Sequence, residues 1–199
     1  EALKDRPSPK RDQLDPLPPS YAPSLALALS ADGKRLAVGR GNGVMVHDLE
    51  NNNAVLATLA GHRDTVQALA WSADGKWLAS SDYRSVRLWN AELKSVGEIT
   101  AFEGRVTALA FAPDNQSLYT ADSQPALRGT VRQWSVAERK PLADWVAHAD
   151  SIYAIALSKD GKQLATAGGD EVATVWTLAD RKPRATLEGH QGAVYGLAF

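Results

Sequence analysis

The sequence predicts an all-β fold, a β-propeller of four-stranded antiparallel blades. Three observations predict it. A turn signature recurs at Asp32-Gly33, Asp74-Gly75, Asp114-Asn115 and Asp160-Gly161, in steps of 42, 40 and 46 residues. Self-similarity at such a period marks a stacked or radial array. Each period also holds several short apolar or alternating runs bounded by turn residues, which is the strand signal. No segment sustains apolar residues at i, i+3 and i+4, as a helical solenoid of similar period would require. Four copies are present, and Val194–Phe199 reads as the first strand of a fifth, so an incomplete ring is expected.

The second copy shows the elements most clearly. Val66–Trp71 is a nearly continuous apolar run with small residues interleaved, the pattern of a strand buried on both faces. Ser72-Ala73-Asp74-Gly75 is a hairpin turn in which glycine supplies a positive φ. Trp77–Ser81 pairs back, the alternating Ser85–Trp89 makes a third strand, and Val96–Thr100 a weaker fourth. Four short antiparallel strands per forty or so residues make a propeller blade. In the same frame, Leu25–Leu29, Val106–Phe111 and Ile152–Leu157 are inner strands, and Gly43–His47, Thr130–Trp134 and Val172–Trp176 are third strands. The repeats run over about 24–62, 63–102, 103–148 and 149–190, with the next starting at 191–199. Residues 1–23 are a different material: Pro7, Pro9, Pro16, Pro18 and Pro19 among charged residues read as an extended linker or surface segment.

Composition narrows the function. The formal net charge is −1, which gives no electrostatic case for nucleic acid or an anionic membrane surface. No apolar run approaches the roughly 18 residues of a spanning helix. The absence of cysteine removes thiolate chemistry and Cys-based metal sites, but leaves the compartment open. The chain begins at Glu1 and its one methionine is Met45, which reads as a trimmed, cleaved or partial start. Cytoplasm is the default location, and a secreted or periplasmic one is compatible with processing.

Register across copies carries a resemblance. Gly61-His62, a buried strand, Asp82 before the third strand, and a strand ending in Trp89-Asn90 resemble the WD-repeat family. Ala147-His148, Asp170 and Trp176 repeat the frame, and Gly189-His190 opens it again, so the resemblance covers about 24–199. It implies a hydrogen-bonded chain within each blade, joining His62, Asp82, Trp89 and Ser80 or Ser81 in the second copy, and His148, Asp170, Trp176 and Thr166 in the fourth. Two copies depart from it. The first has Arg40 for the Asp and His47 for the Trp. The third keeps Asp122 and Trp134 but has Phe102 for the His. Asp82 to Trp89 is 7 residues while Asp122 to Trp134 is 12, so an insertion around Ser123–Arg128, with Pro125, is expected to bulge from the turn between the second and third strands.

The resemblance also implies where partners meet the propeller: the face made by the loop into each inner strand and by the second-to-third-strand turn. Carried over, those positions are Thr65 and Gln67, Arg105 and Thr107, Ser151 and Tyr153, and Ala193 and Tyr195, with Arg40, Tyr83 and Arg84 in adjoining turns. Tyr and Arg are enriched at interface hot spots. No catalytic, metal or cofactor site is expected. His62, His148 and His190 occupy one repeated position, one per blade, too dispersed to share a metal. The Asp residues of the Asp-Gly turns are hairpin residues, and Gly39–Gly43 is a turn with no helix after it to hold a phosphate.

The function expected is therefore a non-enzymatic protein–protein interaction scaffold. The alternative is an accessory propeller of a larger enzyme or redox protein whose active domain lies outside this chain. Family propellers generally carry about seven or eight blades. The remaining blades are expected from the same longer chain or from a second chain.

Overall fold

The computed structural model describes residues 23–124 and 126–199. Apart from Pro23, the Pro-rich segment expected at 1–23 lies outside the described residues, as does Pro125. The strands form four sheets, each a simple antiparallel meander. Blade 1 is β1 (Ser24–Leu29), β2 (Arg35–Arg40), β3 (Gly43–Asp48) and β4 (Ala54–Leu59). Blade 2 is β5 (Ala68–Trp71), β6 (Leu78–Ser81), β7 (Val86–Trp89) and β8 (Ser95–Ile99). Blade 3 is β9 (Arg105–Phe111), β10 (Ser117–Gln124), β11 (Arg128–Ser135) and β12 (Pro141–His148). Blade 4 is β13 (Ile152–Leu157), β14 (Gln163–Gly168), β15 (Ala173–Thr177) and β16 (Lys182–Leu187).

The repeated turn has a clear physical basis. Ser30, Ser72 and Ser158 each donate a hydroxyl hydrogen bond to the Asp two residues on, at 2.6, 2.7 and 2.7 Å. The next residue takes positive φ: +73° at Gly33, +69° at Gly75, +58° at Asn115 and +68° at Gly161. Glycine does this without a Cβ penalty, and asparagine is among the few others that tolerate it.

The core lies between blades. Ala26, Ala37, Val44, Val46 and Leu59 of blade 1 pack on Leu69, Leu78 and Trp89 of blade 2. Val86, Leu88 and Ile99 of blade 2 pack on Phe102, Val106, Leu118 and Trp134 of blade 3. Tyr119, Ala121 and Val131 of blade 3 pack on Ile152, Leu164 and Trp176 of blade 4. Each fully buried Val or Leu side chain contributes about 1.5–3 kcal/mol, so the sheets are held by their neighbours more than by their own ladders. The first strands of successive blades lie side by side, and Leu25, Gln67, Thr107 and Tyr153 of the four blades line one axial space of about 240 Å³. Leu25, Leu27 and Leu29, which alternate along β1 with the Ala26 and Ala28 that pack on blade 2, are exposed.

One expectation is refined and one corrected. The insertion in blade 3 extends the turn between the second and third strands, where it was expected, but as added ladder instead of a loose bulge. β10 and β11 stay paired out to Gln124 with Arg128, so the extra residues lengthen the hairpin, with Ala126 and Leu127 the described residues at its tip. Gly129 permits this, because a Cβ there would lie 2.6 Å from the Asp150 carbonyl oxygen of the next blade. Val194–Phe199 forms no strand ladder. The Val194 N–H donates to Gly168 O at 3.0 Å, as Val66 does to Gly41 O at 2.7 Å and Val106 to Asp82 O at 3.4 Å. The segment thus enters the inner-strand position, but no second strand lies beside it among the described residues, and a ladder needs two.

Candidate functional site

Two sets of residues matter: the networks that fix the loops and the face those loops build. In blade 4, His148 Nδ1 lies 2.8 and 3.0 Å from the Asp170 carboxylate oxygens, and its Nε2 lies 2.7 Å from Thr166 Oγ1. The Trp176 indole N–H donates to the same hydroxyl oxygen at 2.8 Å, and the Ala149 N–H donates to Asp170 at 3.0 Å. In blade 2 the hydroxyl is Ser80, which meets His62 Nε2 at 2.6 Å and accepts from Trp89 at 2.8 Å. Ser81 instead reaches across to blade 3, donating to Val106 O at 2.8 Å. His62 Nδ1 sits 3.1 Å from Asp82 Oδ2, close enough for an ion pair but too poorly aligned to count as a hydrogen bond. Burial pushes the Asp82 carboxyl up, but His62, the Ser85 hydroxyl and the Arg63 N–H more than offset it and hold it below the usual carboxylate range.

Blade 3 reaches the same end differently. Phe102 fills the imidazole position, its ring centroid 5.2 Å from that of Trp134 at a 57° tilt. Trp134 donates to Thr120 Oγ1 at 3.0 Å. Asp122 accepts from the Glu103 and Gly104 N–H groups at 3.2 and 2.9 Å, and from Arg132 at 3.1 Å. Blade 1 has no such chain: His47 Nδ1 meets Asn53 O at 3.1 Å, and Arg40 is half-buried at the end of β2. His190 is exposed and joins no network among the described residues.

The loops set by these networks share one face. Six of the sequence-predicted contact residues, Gln67, Tyr83, Arg105, Thr107, Ser151 and Tyr153, line a single cavity of about 530 Å³ across blades 2, 3 and 4. Tyr83 and Arg105 are joined by an isolated antiparallel β-bridge between the blades. Thr107 contributes shape more than a free group, since its hydroxyl donates to Ile152 O at 2.5 Å and also meets Ser123 Oγ at 3.1 Å. Tyr83 and Arg84 also line a neighbouring cavity of about 580 Å³, where Arg84 Nε donates to Phe102 O at 2.9 Å. Tyr195 lies against Tyr153, rings stacked 4.8 Å apart. Thr65 is half-buried, with its N–H on Asp64 at 2.6 Å and its carbonyl accepting from Gln67 at 3.1 Å.

Sequence reasoning missed five cavity residues: Glu103, Gly104, Ser123, Gln124 and Leu127. Three of them sit on or beside the lengthened β10–β11 hairpin. The insertion was visible in the sequence, and only its direction was not. Glu103 accepts from Arg128 at 2.6 Å and from Gln124 at 3.0 Å, and Arg128 foremost holds its carboxyl below the usual range.

Residues 53–90, 93–135 and 139–177 match the WD domain, G-beta repeat family, together more than half of the chain. The chain belongs to the WD-repeat family. It is 30% identical over 141 residues to the target of rapamycin complex subunit wat1 of Schizosaccharomyces pombe, which covers 69% of this chain and 44% of that protein. It is 32% identical over 157 residues to a 66 kDa stress protein of Physarum polycephalum, covering 75% of this chain and 25% of the other. Among solved structures it is similar to U3-55K, with a TM-score of 0.78 and 25% identity over 87% of this chain and 54% of that one. The chain thus spans about half or less of each of these relatives.

The WD-repeat matches are staggered against the sheets. Each begins at or just before a fourth strand and ends with the third strand of the following blade: β4 to β7, β8 to β11, and β12 to β15. One repeat of sequence therefore ties two blades together, matching a core that lies between sheets. Proteins of this family generally act as interaction scaffolds.

Proposed function

We propose that this WD-repeat chain binds other proteins through the face lined by Gln67, Tyr83, Arg105, Thr107, Ser151 and Tyr153, as a scaffold with no chemical step of its own. The observation that carries the reading is the convergence of side chains from three blades on one cavity, with exposed Tyr and Arg among them. Tyr and Arg anchors around a water-excluding depression are where binding energy concentrates. Arg40, Thr65, Arg84 and Tyr195 extend the same face at its margins. The exposed leucines of β1 support a second element of the reading: further propeller blades, from the same longer chain or a second one, cover that side of blade 1.

The test uses a photo-crosslinking amino acid placed at position 105 and, separately, at Lys182 on the outer strand of blade 4. Crosslinked partners from the native source are identified by mass and one is purified. The reading expects partner capture from position 105 and not from 182, with a loss of at least about ten-fold in affinity for Arg105→Ala with Tyr153→Ala. An unchanged affinity removes the assignment. An accessory role in a larger enzyme is the second reading, compatible with the small share of each relative that the chain spans. It predicts that crosslinks from position 105 fall within a catalytic domain of the same polypeptide.

A further inference from the structure

The lengthened hairpin of blade 3 gives this face a feature the other three blades lack. Its tip is tied down on both sides. The Ala126 N–H donates to the Asp150 carboxylate in the loop leading to blade 4 at 2.8 Å, and Arg128 reaches Glu103 in the loop leading to blade 3 at 2.6 Å. Held this way, the tip carries Leu127, 72% exposed, on the wall of the 530 Å³ cavity that also contains Tyr83, 51% exposed. One exposed leucine is ordinary. A leucine fixed on a braced tip, lining a cavity with a half-exposed tyrosine, is a preformed apolar slot.

The charges in the cavity are unequal in availability. Glu103 is engaged by Arg128 and Gln124. Arg105 has a half-exposed side chain, and the Asp64 carboxylate lies 4.0 Å from it, the outer limit of an ion pair. The cavity therefore offers one under-used guanidinium beside an apolar slot. Glu103, Asp64 and Asp150 around it leave no basic stripe of the kind a nucleic acid backbone needs.

We propose that this cavity takes an extended peptide segment of a partner, one carrying a carboxylate side chain next to a bulky apolar side chain. The carboxylate lies on the Arg105 guanidinium, whose planar fork suits it. The apolar side chain lies between Leu127 and Tyr83. The braced hairpin sets the selectivity, because a wall that is already ordered loses little conformational freedom on binding. This rests on the interaction-face reading above and names the partner chemistry.

The probe is a set of fluorescein-labelled octapeptides with a central Glu-Leu, Glu-Phe or Asp-Trp pair. Matched sets carry Lys-Leu, which reverses the charge, and Glu-Ser, which removes the apolar group. Fluorescence anisotropy is read against the full chain. The expected result is saturable binding of the acidic–apolar peptides, weakened at least about ten-fold by Leu127→Ser and by Arg105→Glu. Arg105→Glu is expected to shift preference to the Lys-Leu set, a gain that loss of folding could not produce. Arg181→Glu, at the exposed outer edge, leaves binding unchanged. Equal binding of Lys-Leu and Glu-Leu peptides, indifference to Leu127→Ser, or no binding of any acidic–apolar peptide overturns the proposal. Preferential binding of a single-stranded oligonucleotide would overturn it too. If the purified partner is still weakened by Arg105→Ala with Tyr153→Ala while the peptides fail, the interaction face stands and only the peptide chemistry falls.

Discussion

Blade 4 closes its loop with a histidine, an aspartate, a threonine and a tryptophan in one hydrogen-bonded chain, whereas blade 3 closes the same loop with a phenylalanine and an arginine in place of the histidine. Setting the two side by side separates what the fold requires from what it tolerates. In blades 2, 3 and 4 alike, a tryptophan N–H donates to a second-strand hydroxyl: Ser80, Thr120 or Thr166. In all three an aspartate accepts backbone N–H groups of the loop before the inner strand: Arg63, Glu103 with Gly104, or Ala149. The histidine is the variable part. An aromatic ring of similar shape replaces its packing, and Arg132 supplies the cationic donor to the aspartate. Blade 1 lacks every part, with Val38, Arg40 and His47 in register with Ser80, Asp82 and Trp89. It still forms four paired strands, because its small apolar face packs on blade 2.

The largest effect is expected from removing a shared part. Trp134 is 1% exposed and sits in the core between blades 2 and 3, so Trp134→Ala should lower unfolding free energy by about 3–5 kcal/mol. Urea denaturation followed by circular dichroism measures it. A loss below about 1 kcal/mol would show that the tryptophan is not a packing centre.

Next is the aspartate. Asp82→Ala leaves the Arg63 N–H and the Ser85 hydroxyl without their acceptor and His62 without its neighbouring carboxylate in a buried turn, and about 3 kcal/mol is expected. The pH dependence should change with it. The folded-state carboxyl of Asp82 titrates below its ordinary 3.8, so the stability it contributes is complete above that value and is lost as pH falls through the lowered one. The variant should therefore lose stability less steeply on acidification. An identical acid slope in both proteins would mean that Asp82 carries no such linkage.

A smaller and more selective effect tests the substitution of histidine by arginine directly. Arg132→Met removes one of the donors to a buried carboxylate and should destabilise by about 1.5 kcal/mol. Arg87→Met in blade 2 removes a guanidinium about as buried as that of Arg132 but paired at 3.2 Å with the more exposed Glu98, and should cost less, about 0.5 kcal/mol. Equal losses would mean that Arg132 is not a stand-in for the histidine.

Much of this was legible in the chain. The inner strands, the Asp-Gly turns and the position of the aspartate and tryptophan could be read because each is local: a run, a dipeptide, a fixed spacing. Residues that act across blades could not. Choosing Ser80 over Ser81 depends on which face of β6 each occupies, and the sequence left both open. Arg132 lies ten residues beyond Asp122, on the neighbouring strand, with no signal until the β10–β11 register is known. Leu127 looked like any loop residue, since only the ties to Asp150 and Glu103 give the hairpin tip a direction.

The smallest expected effect concerns that tip, where blade 3 differs most from blade 4. The two acidic groups of the blade 3 loop divide the work: Asp122 is buried on Arg132, and Glu103 is exposed on Arg128. Arg128→Gln should leave the urea midpoint unchanged, because an exposed pair trades protein contacts for water. The Glu103 carboxyl should nevertheless rise toward its ordinary 4.5, since Arg128 is the first cause of its depression. Carboxyl-carbon NMR titration reads that shift. A carboxyl that stays depressed in the variant would transfer the effect to Arg132 and Gln124. A carboxyl that rises while the midpoint holds would show that the insertion was added to the surface of blade 3 without becoming part of what keeps the blade folded.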